Sequence, residues 1–171
     1  MTAPVAILMG SDSDLPTMAE CVRVLNDYGI ASEVHVLSAH RSPEATAHFA
    51  KEAEGRGIRV IVAGAGGAAH LAGVLAAHTV LPVIGVPIDS SPLGGFDSLL
   101  STVQMPPGIP VATVGVGSMG AKNAGHLAAT ILSVGDPALR EKLRETRRRM
   151  AEDVLKKASV VPGRLAELLK K

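Results

Sequence analysis

The stretch Arg59-Val-Ile-Val-Ala-Gly-Ala-Gly-Gly-Ala-Ala-His70 decides the architecture of this chain. Its β-branched run Val60–Val62 is typical of a strand that is buried on both faces of a parallel sheet. The glycines and alanines of 64–69 then leave a nearly bare backbone that leads into a helix. This pattern predicts a site for a small or anionic ligand at the helix N-terminus. Taken alone, it also fits a tight strand-to-helix turn packed with small residues.

Apolar runs of strand length alternate with helical periodicity on both sides of this stretch. The predicted strands are Val5–Met9, Ala31–Leu37, Val60–Val62, Pro82–Val86 and Val111–Val114. The predicted helices are Leu15–Tyr28, a second from Ser42 as N-cap and Pro43 to Gly55, Ala68–His78, Asp97–Gln104, Ala121–Val134, a long charged helix from Asp136-Pro137, and a short one after Pro162-Gly163. The alternation predicts an α/β three-layer sandwich with a five-stranded parallel sheet, flavodoxin-like or Rossmann-like, plus C-terminal helices.

The composition is that of a folded globular protein, with 47% hydrophobic and 19% charged residues in 171. We expect a single α/β domain over residues 1–171, with its core at about 4–135 and a helical extension at 136–171. The net charge of +1 and the scarcity of aromatic residues (Phe 2, Tyr 1, Trp 0) disfavour nucleic acid as a partner. The lone Cys21 excludes an internal disulfide, and no apolar leader is evident, so we expect a cytoplasmic protein without membrane contact.

Polar or glycine-rich loops follow the first three predicted strands, at Gly10–Asp14, Ser38–Arg41 and Gly64–His70. The carboxyl ends of parallel strands meet at one edge of a sheet, where ligands of α/β proteins bind. The sequence therefore predicts one site built from these three loops.

In the first loop, Ser11 and the amides after it are suited to bind a phosphate, and the Asp14 carboxylate is suited to accept hydrogen bonds from sugar hydroxyls. Ordinary helix capping by Asp12 or Ser13 is the alternative interpretation.

The second loop offers Arg41 as a planar fork for phosphate and His40 as a group that exchanges protons near neutral pH. A solvated turn is the alternative. His70, at the start of the third predicted helix, is a candidate supporting group for the same site.

Three other patterns do not predict sites. No two histidines have the i, i+4 spacing with an acid that a zinc helix needs. The segment Gly115–Gly120 matches G-x-G-x-x-G, but no strand that ends in an acidic residue follows it, which disfavours NAD. The run Arg147–Arg149 is interleaved with acidic residues, which favours a solvated helix face.

Seven motifs occur in a fixed order: Gly10–Asp14, Ser38–Arg41, Gly64–His70, Leu81–Pro87, Asp97–Leu100, Gln104–Pro106 and Gly108–Ala112. This series resembles the PurE family, the carboxyaminoimidazole ribonucleotide mutases of purine biosynthesis, over about residues 5–135. Arg41 and the Gly-Ala-Gly-Gly loop are similar to the class I mutases, whereas class II members tend to have Lys in place of Arg41. One departure is Ala72, where the family usually has Pro.

The resemblance implies a ribonucleotide substrate whose aminoimidazole carries a carbamate on its exocyclic nitrogen. The product would carry that carboxylate on ring carbon 4, and the reaction would need neither metal nor cofactor. His40 would be the catalytic acid and base. The implied substrate-binding residues are Ser11, Asp14, Ser38, Ala39, Arg41, Gly66, Gly67, Ala68 and His70.

The resemblance also implies a homo-octamer whose sites are shared between neighbouring subunits. The predicted helices around 68–77 and 124–129 have almost no polar face, so a monomer would expose unusual apolar area. Two other functions stay open: a class II-type carboxylase that uses carbon dioxide, and a non-catalytic module that binds a nucleotide.

Overall fold

Five parallel strands form one sheet within residues 3–170, the part of the protein that the computed structural model describes. The strands are β1 (Val5–Met9), β2 (Ser32–Val36), β3 (Val60–Gly66), β4 (Val83–Ile88) and β5 (Ala112–Thr113). The helices are α1 (Leu15–Asp27), α2 (Pro43–Glu52), α3 (Leu71–His78), α4 (Phe96–Val103), α5 (Gly117–Leu132) and α6 (Pro137–Leu168). The strand order β2-β1-β3-β4-β5 and the parallel pairings confirm the predicted α/β fold.

The core lies on both faces of the three interior strands, β1, β3 and β4. Every residue of β1 is fully buried, as are Val60–Val62 of β3, which explains why both strands consist of continuous apolar runs. Helices α1 and α5 pack against each other, and α2 packs against α3. The sheet is thus covered by helices on each side.

The direction of the strand order reverses beside β1, since β2 lies on one side of it and β3 on the other. Met9 at the end of β1 is in register with Val36 of β2 and Gly64 of β3. The Leu37 amide donates to the Met9 carbonyl at 2.9 Å, and the Gly10 amide donates to the Gly64 carbonyl at 3.2 Å. These bonds hold the loops after β1, β2 and β3 side by side at the crevice where such sheets bind ligands.

The third strand is longer than the sequence predicts. Gly64 and Gly66 were expected in a loop, yet they pair with Val86 and Ile88 of β4. A side chain at Gly64 would meet the sulfur of Met18 at 2.4 Å, so the absence of one lets α1 pack directly on the strand. The chain turns only at Gly67, with a φ of 59°, and α3 begins at Leu71 rather than at Ala68.

The chain divides into two compact units, one ending at Leu132 and one beginning at Ser133. In the second unit, Asp136 caps α6 as predicted, because its carboxylate accepts from the Leu139 amide at 3.0 Å. The predicted break at Pro162-Gly163 is wrong, since α6 continues through Pro162 to Leu168. An interior proline has a helical φ but removes one N–H and crowds the preceding turn, so it costs stability at this point of α6 without ending the helix.

The cationic run on α6 lies among acidic partners on the same helix, as predicted. Glu145 accepts from Arg148 at 2.8 Å and from Arg149 at 2.7 Å. These bonds lower the pKa of Glu145 to about 2.

The two small-residue helices bury much of their surface within the chain. Ala124, Ala128 and Ala129 of α5 are fully buried, and Leu71, Ala72 and Leu75 of α3 are at most 2% exposed, so most of the apolar exposure predicted for these two helices is absent. Exposed large apolar side chains include Leu93 and Phe96, before and at the start of α4, which are 65% and 62% exposed, and others lie along α6. No helix among residues 3–170 is long and apolar enough to cross a bilayer.

Candidate active site

A cavity of about 210 Å³ opens at the carboxyl edge of the sheet, and residues from all three predicted loops line it. Its lining is Gly10, Ser11, Ser13, Asp14, Ser38, Ala39, His40, Arg41, Ala65, Gly66, Ala68, His70, Leu71 and Ser90. All predicted site residues except Gly67 are in this lining. Gly67 makes the turn that follows β3.

The first loop is a single 3₁₀ turn, Asp12–Asp14, capped by Ser11. The Ser11 hydroxyl accepts from the Ser13 amide at 3.3 Å and from the Ser13 hydroxyl at 2.9 Å. Helix capping therefore falls to Ser11, and not to Asp12 or Ser13. This holds the Ser11 side chain at the mouth of the cavity.

Asp14 is a buried carboxylate at this site, only 6% exposed. Burial raises its pKa above the ordinary value of 3.8, and hydrogen bonds from the Ser11 backbone and the Ser13 side chain partly offset that effect. A carboxylate kept away from water at a cavity wall suits a hydrogen bond to a ligand hydroxyl.

The second loop is held by two serines. The Ser42 hydroxyl donates to the Ser38 carbonyl at 3.0 Å and accepts from the Ser38 amide at 3.0 Å. Ser42 does occupy the N-cap position of α2, but its side chain bonds back to Ser38 instead of to the helix amides. This closes the turn that carries Ala39 and His40.

Arg41 connects the second loop to the first. Its Nη2 donates to the Gly10 carbonyl at 3.0 Å, and its backbone amide donates to the Ser38 hydroxyl at 3.2 Å. The guanidinium is exposed and carries five N–H groups, so most remain available to an anion. Arg41 thus brings N–H donors to the loop of Ser11, whose own hydroxyl donates to Asp12 Oδ1 at 3.2 Å.

His40 and His70 meet between the second and third loops. His40 Nε2 lies 2.7 Å from His70 Nδ1, and the two rings stand nearly perpendicular, at 81°. A hydrogen bond of this kind needs a proton on one of the two facing nitrogens and a lone pair on the other. The contact fixes the orientation of His40 and supplies it with a partner for proton exchange.

The end of β3 and the turn after it give the cavity a wall of small residues, Ala65, Gly66 and Ala68. Ser90, which no sequence motif predicts as a site residue, lies in the same lining and follows β4. The loop after β4 is rich in Ser, Pro and Gly, and that composition was the signal that could have marked a fourth contribution to the same edge.

Two further features lie outside this cavity. A larger groove of about 820 Å³ at the amino end of β4 is lined by residues such as Lys51, Val80 and Gly108, and it contains none of the predicted site residues. Within residues 3–170, no cluster of three or more His, Cys, Asp or Glu side chains has the arrangement of a metal site.

The one departure from the motif series lies in the first turn of the third helix. Ala72 is buried as the second residue of α3, which begins at Leu71 immediately before it.

Known proteins match this chain over most of its length. A family model described as AIR carboxylase matches residues 4–153. A Pyrococcus abyssi protein named N5-carboxyaminoimidazole ribonucleotide mutase is 62% identical over 146 residues, which are 85% of this chain and 83% of that protein. A Thermotoga maritima protein of the same name is 54% identical over 154 residues, 90% of this chain and 89% of that one.

The fold has a close match among solved structures. The crystal structure of Treponema denticola PurE aligns with a TM-score of 0.82 and 28% identity, covering 91% of this chain and 96% of that chain. The matched span of the family model includes all three loops of the cavity and the strands that position them. The chain therefore belongs to the PurE family, the AIR carboxylases.

Proposed function

We propose that this protein is the N5-carboxyaminoimidazole ribonucleotide mutase of de novo purine biosynthesis, a cofactor-independent intramolecular transferase. The observation that carries the proposal is the cavity in which His40 and His70 meet beside Arg41, Ser11 and Asp14. Relatives at 50–62% identity bear the name of this mutase.

Substrate binding follows from the donors and acceptors of the cavity. Arg41 and Ser11 would bind the 5′-phosphate, because charged N–H donors and a hydroxyl flank the same side. Asp14 would accept from ribose hydroxyls. Ser38 and Ala39 would shape the second loop, while Gly66, Gly67 and Ala68 would let the flat imidazole approach the backbone.

His40 would carry the proton through the reaction. The carbamate N–C bond breaks, its electron pair stays on the exocyclic nitrogen, and that nitrogen takes a proton from His40. Carbon dioxide remains in the cavity, where ring carbon 4 attacks it and forms the new C–C bond. The proton displaced from carbon 4 returns to His40, so protons and electrons balance without an external reagent.

Among the side chains that line the cavity, imidazole suits this two-way exchange. Arg41 does not give up its proton in proteins. Asp14 is buried in contact with its own loop, where it suits a fixed hydrogen bond. His40 is exposed to the cavity and already bonded to a second imidazole, His70, which would hold it in place.

We further infer that the working protein is a homo-oligomer, with the octamer of the family resemblance as the expected form. The cavity of about 210 Å³ in one subunit is smaller than the roughly 300–1,000 Å³ of typical ligand pockets. A neighbouring subunit would enlarge and close it. The exposed Leu93 and Phe96 supply apolar area for such a contact.

A class II-type carboxylase is the nearest alternative, and a non-catalytic nucleotide-binding module is the other. Arg41 and the mutase names of the relatives favour the class I reaction over the first. The histidine pair disfavours the second, because binding alone needs no group that exchanges protons.

One assay separates the three functions. Purified protein is given either the carbamate ribonucleotide or aminoimidazole ribonucleotide with bicarbonate, and carboxylated product is measured. The mutase converts the carbamate directly and gains little from bicarbonate. A carboxylase shows the reverse preference, and a binding module forms no product above the uncatalysed rate.

A further inference from the structure

Ser90 lies beside the end of β3, two residues after β4 ends. Gly66 is in register with Ile88, and Ser90 follows two residues later. A Cβ placed on Gly66 would lie 1.8 Å from Ser90 Oγ and 2.9 Å from Ser90 Cβ. The hydroxyl of Ser90 therefore occupies the space that a side chain at position 66 would fill, directly against the Gly66 backbone.

This hydroxyl is free to bind a ligand. It lines the cavity, and within residues 3–170 it has no hydrogen bond to another protein group. The next residue differs, since the Ser91 hydroxyl accepts from the Leu93 amide at 3.1 Å and so serves a local turn. Among the described residues, Ser90 thus places a hydroxyl without a hydrogen-bond partner on the wall of small residues.

That wall offers few other polar side chains. Ala65, Gly66 and Ala68 present alkyl groups and backbone, whereas Arg41 and Ser11 come from the loops after β2 and β1. A carboxylate or carbon dioxide held beside the third loop needs a donor of its own. A neutral hydroxyl can donate to an oxygen without holding the anion so strongly that transfer stops.

We propose that Ser90 holds the migrating carboxyl group, first as the carbamate, then as carbon dioxide, and finally as the product carboxylate. This inference rests on the proposed mutase function and adds a residue to it. Ser90 donates one hydrogen bond to a carboxyl oxygen at each stage and exchanges no proton. The N–C bond breaks and the C–C bond forms as described above, while Ser90 keeps carbon dioxide beside ring carbon 4.

The test compares Ser90→Ala with Ser91→Ala as a matched control, using the full chain and the carbamate ribonucleotide. Two products are measured: the carboxylated ribonucleotide and the decarboxylated aminoimidazole ribonucleotide, each corrected for the uncatalysed reaction. Affinity for aminoimidazole ribonucleotide, which has no carboxyl group, is measured by calorimetry. Circular dichroism confirms that both variants fold.

We expect Ser90→Ala to form carboxylated product about tenfold more slowly, which corresponds to the loss of one hydrogen bond, and to release a larger share of decarboxylated nucleotide. Its affinity for aminoimidazole ribonucleotide should stay within about twofold of wild type. Ser91→Ala should match wild type in all three measurements. A structural role for Ser90 would not alter the ratio of the two products.

Two results would overturn the assignment while leaving the mutase function intact. One is an active Ser90→Ala variant with the wild-type product ratio. The other is a loss of affinity for aminoimidazole ribonucleotide as large as the loss of rate, which would place Ser90 at the phosphate or ribose. Absence of turnover in wild type would instead overturn the proposed function and this inference with it.

Discussion

His40 Nε2 and His70 Nδ1 are 2.7 Å apart, although thirty positions of sequence separate them. The contact joins the loop after β2 to the segment that begins α3, across the carboxyl end of β1. It brings a proton-exchanging pair to the one edge of the sheet where ligands are expected.

The first prediction assigns His40 as the acid and base. A positioned proton-transfer group contributes about 10²–10⁴ in rate, so His40→Asn should lose at least about a hundredfold in turnover. Nucleotide affinity should persist, because the phosphate and ribose partners are untouched. Steady-state kinetics and calorimetry check both parts, and a folded variant within tenfold of wild-type turnover would exclude the role.

The second prediction concerns His70 as a positioning residue. His70→Asn removes the ring that orients His40 but leaves His40 in the cavity, so we expect a loss of turnover of about tenfold, smaller than for His40→Asn. Affinity for the nucleotide should stay near that of wild type, because the phosphate and ribose partners are untouched. Steady-state kinetics measure the loss of turnover, and an unchanged rate would show that the contact is incidental.

The third prediction concerns the phosphate. Arg41→Ala should lose about 1.5–3 kcal/mol of affinity for a 5′-ribonucleotide, the usual effect of removing a charge-assisted hydrogen bond. Arg41→Lys should recover only part, since an ammonium lacks the planar fork that also reaches the Gly10 carbonyl. Calorimetry measures this directly, and equal affinity in wild type and Arg41→Ala would contradict the assignment.

The fourth prediction uses the buried carboxylate. Since burial raises the pKa of Asp14 above 3.8, the folded state binds this proton more tightly than the unfolded state does. Stability therefore declines as the pH rises through 3.8 and levels off above the raised pKa. Asp14→Asn abolishes this decline.

Urea denaturation at pH 4 and pH 7 provides the measurement for Asp14. The free energy of unfolding of Asp14→Asn minus that of wild type should increase from pH 4 to pH 7, because only the wild type loses the stability that protonated Asp14 contributes. If the difference in unfolding free energy between Asp14→Asn and wild type were the same at both pH values, burial would not raise the pKa of Asp14. Nucleotide affinity should fall in the variant at either pH, since an amide is a poorer acceptor for ribose hydroxyls.

The fifth prediction concerns assembly. Sedimentation of wild type at micromolar concentration should show a homo-oligomer, with the octamer as the expected species. Phe96→Lys should shift the distribution toward smaller species, because it places a charge on the exposed apolar face of α4. A wild-type protein that sediments as a stable monomer would contradict the prediction.

Local pattern alone determined the α/β class and the edge of the sheet that carries the site. The run Val60–Val62 and the bounds of β1 follow from apolar periodicity, which depends on neighbouring residues only. Parallel strands place their carboxyl ends together, so the three loops could be grouped without coordinates. Asp136 likewise marked the start of α6 through the chemistry of its own side chain.

Tertiary structure decided what depends on residues distant in the chain. Gly64–Gly66 have weak strand propensity, but pairing with β4 and packing of Met18 keep them in β3. The approach of Ser90 to Gly66 and of His40 to His70 depends on strand register and on where each loop ends, which no local pattern encodes. The sequence therefore determined which chemical groups the site contains, and the packing of the sheet decided which of them meet.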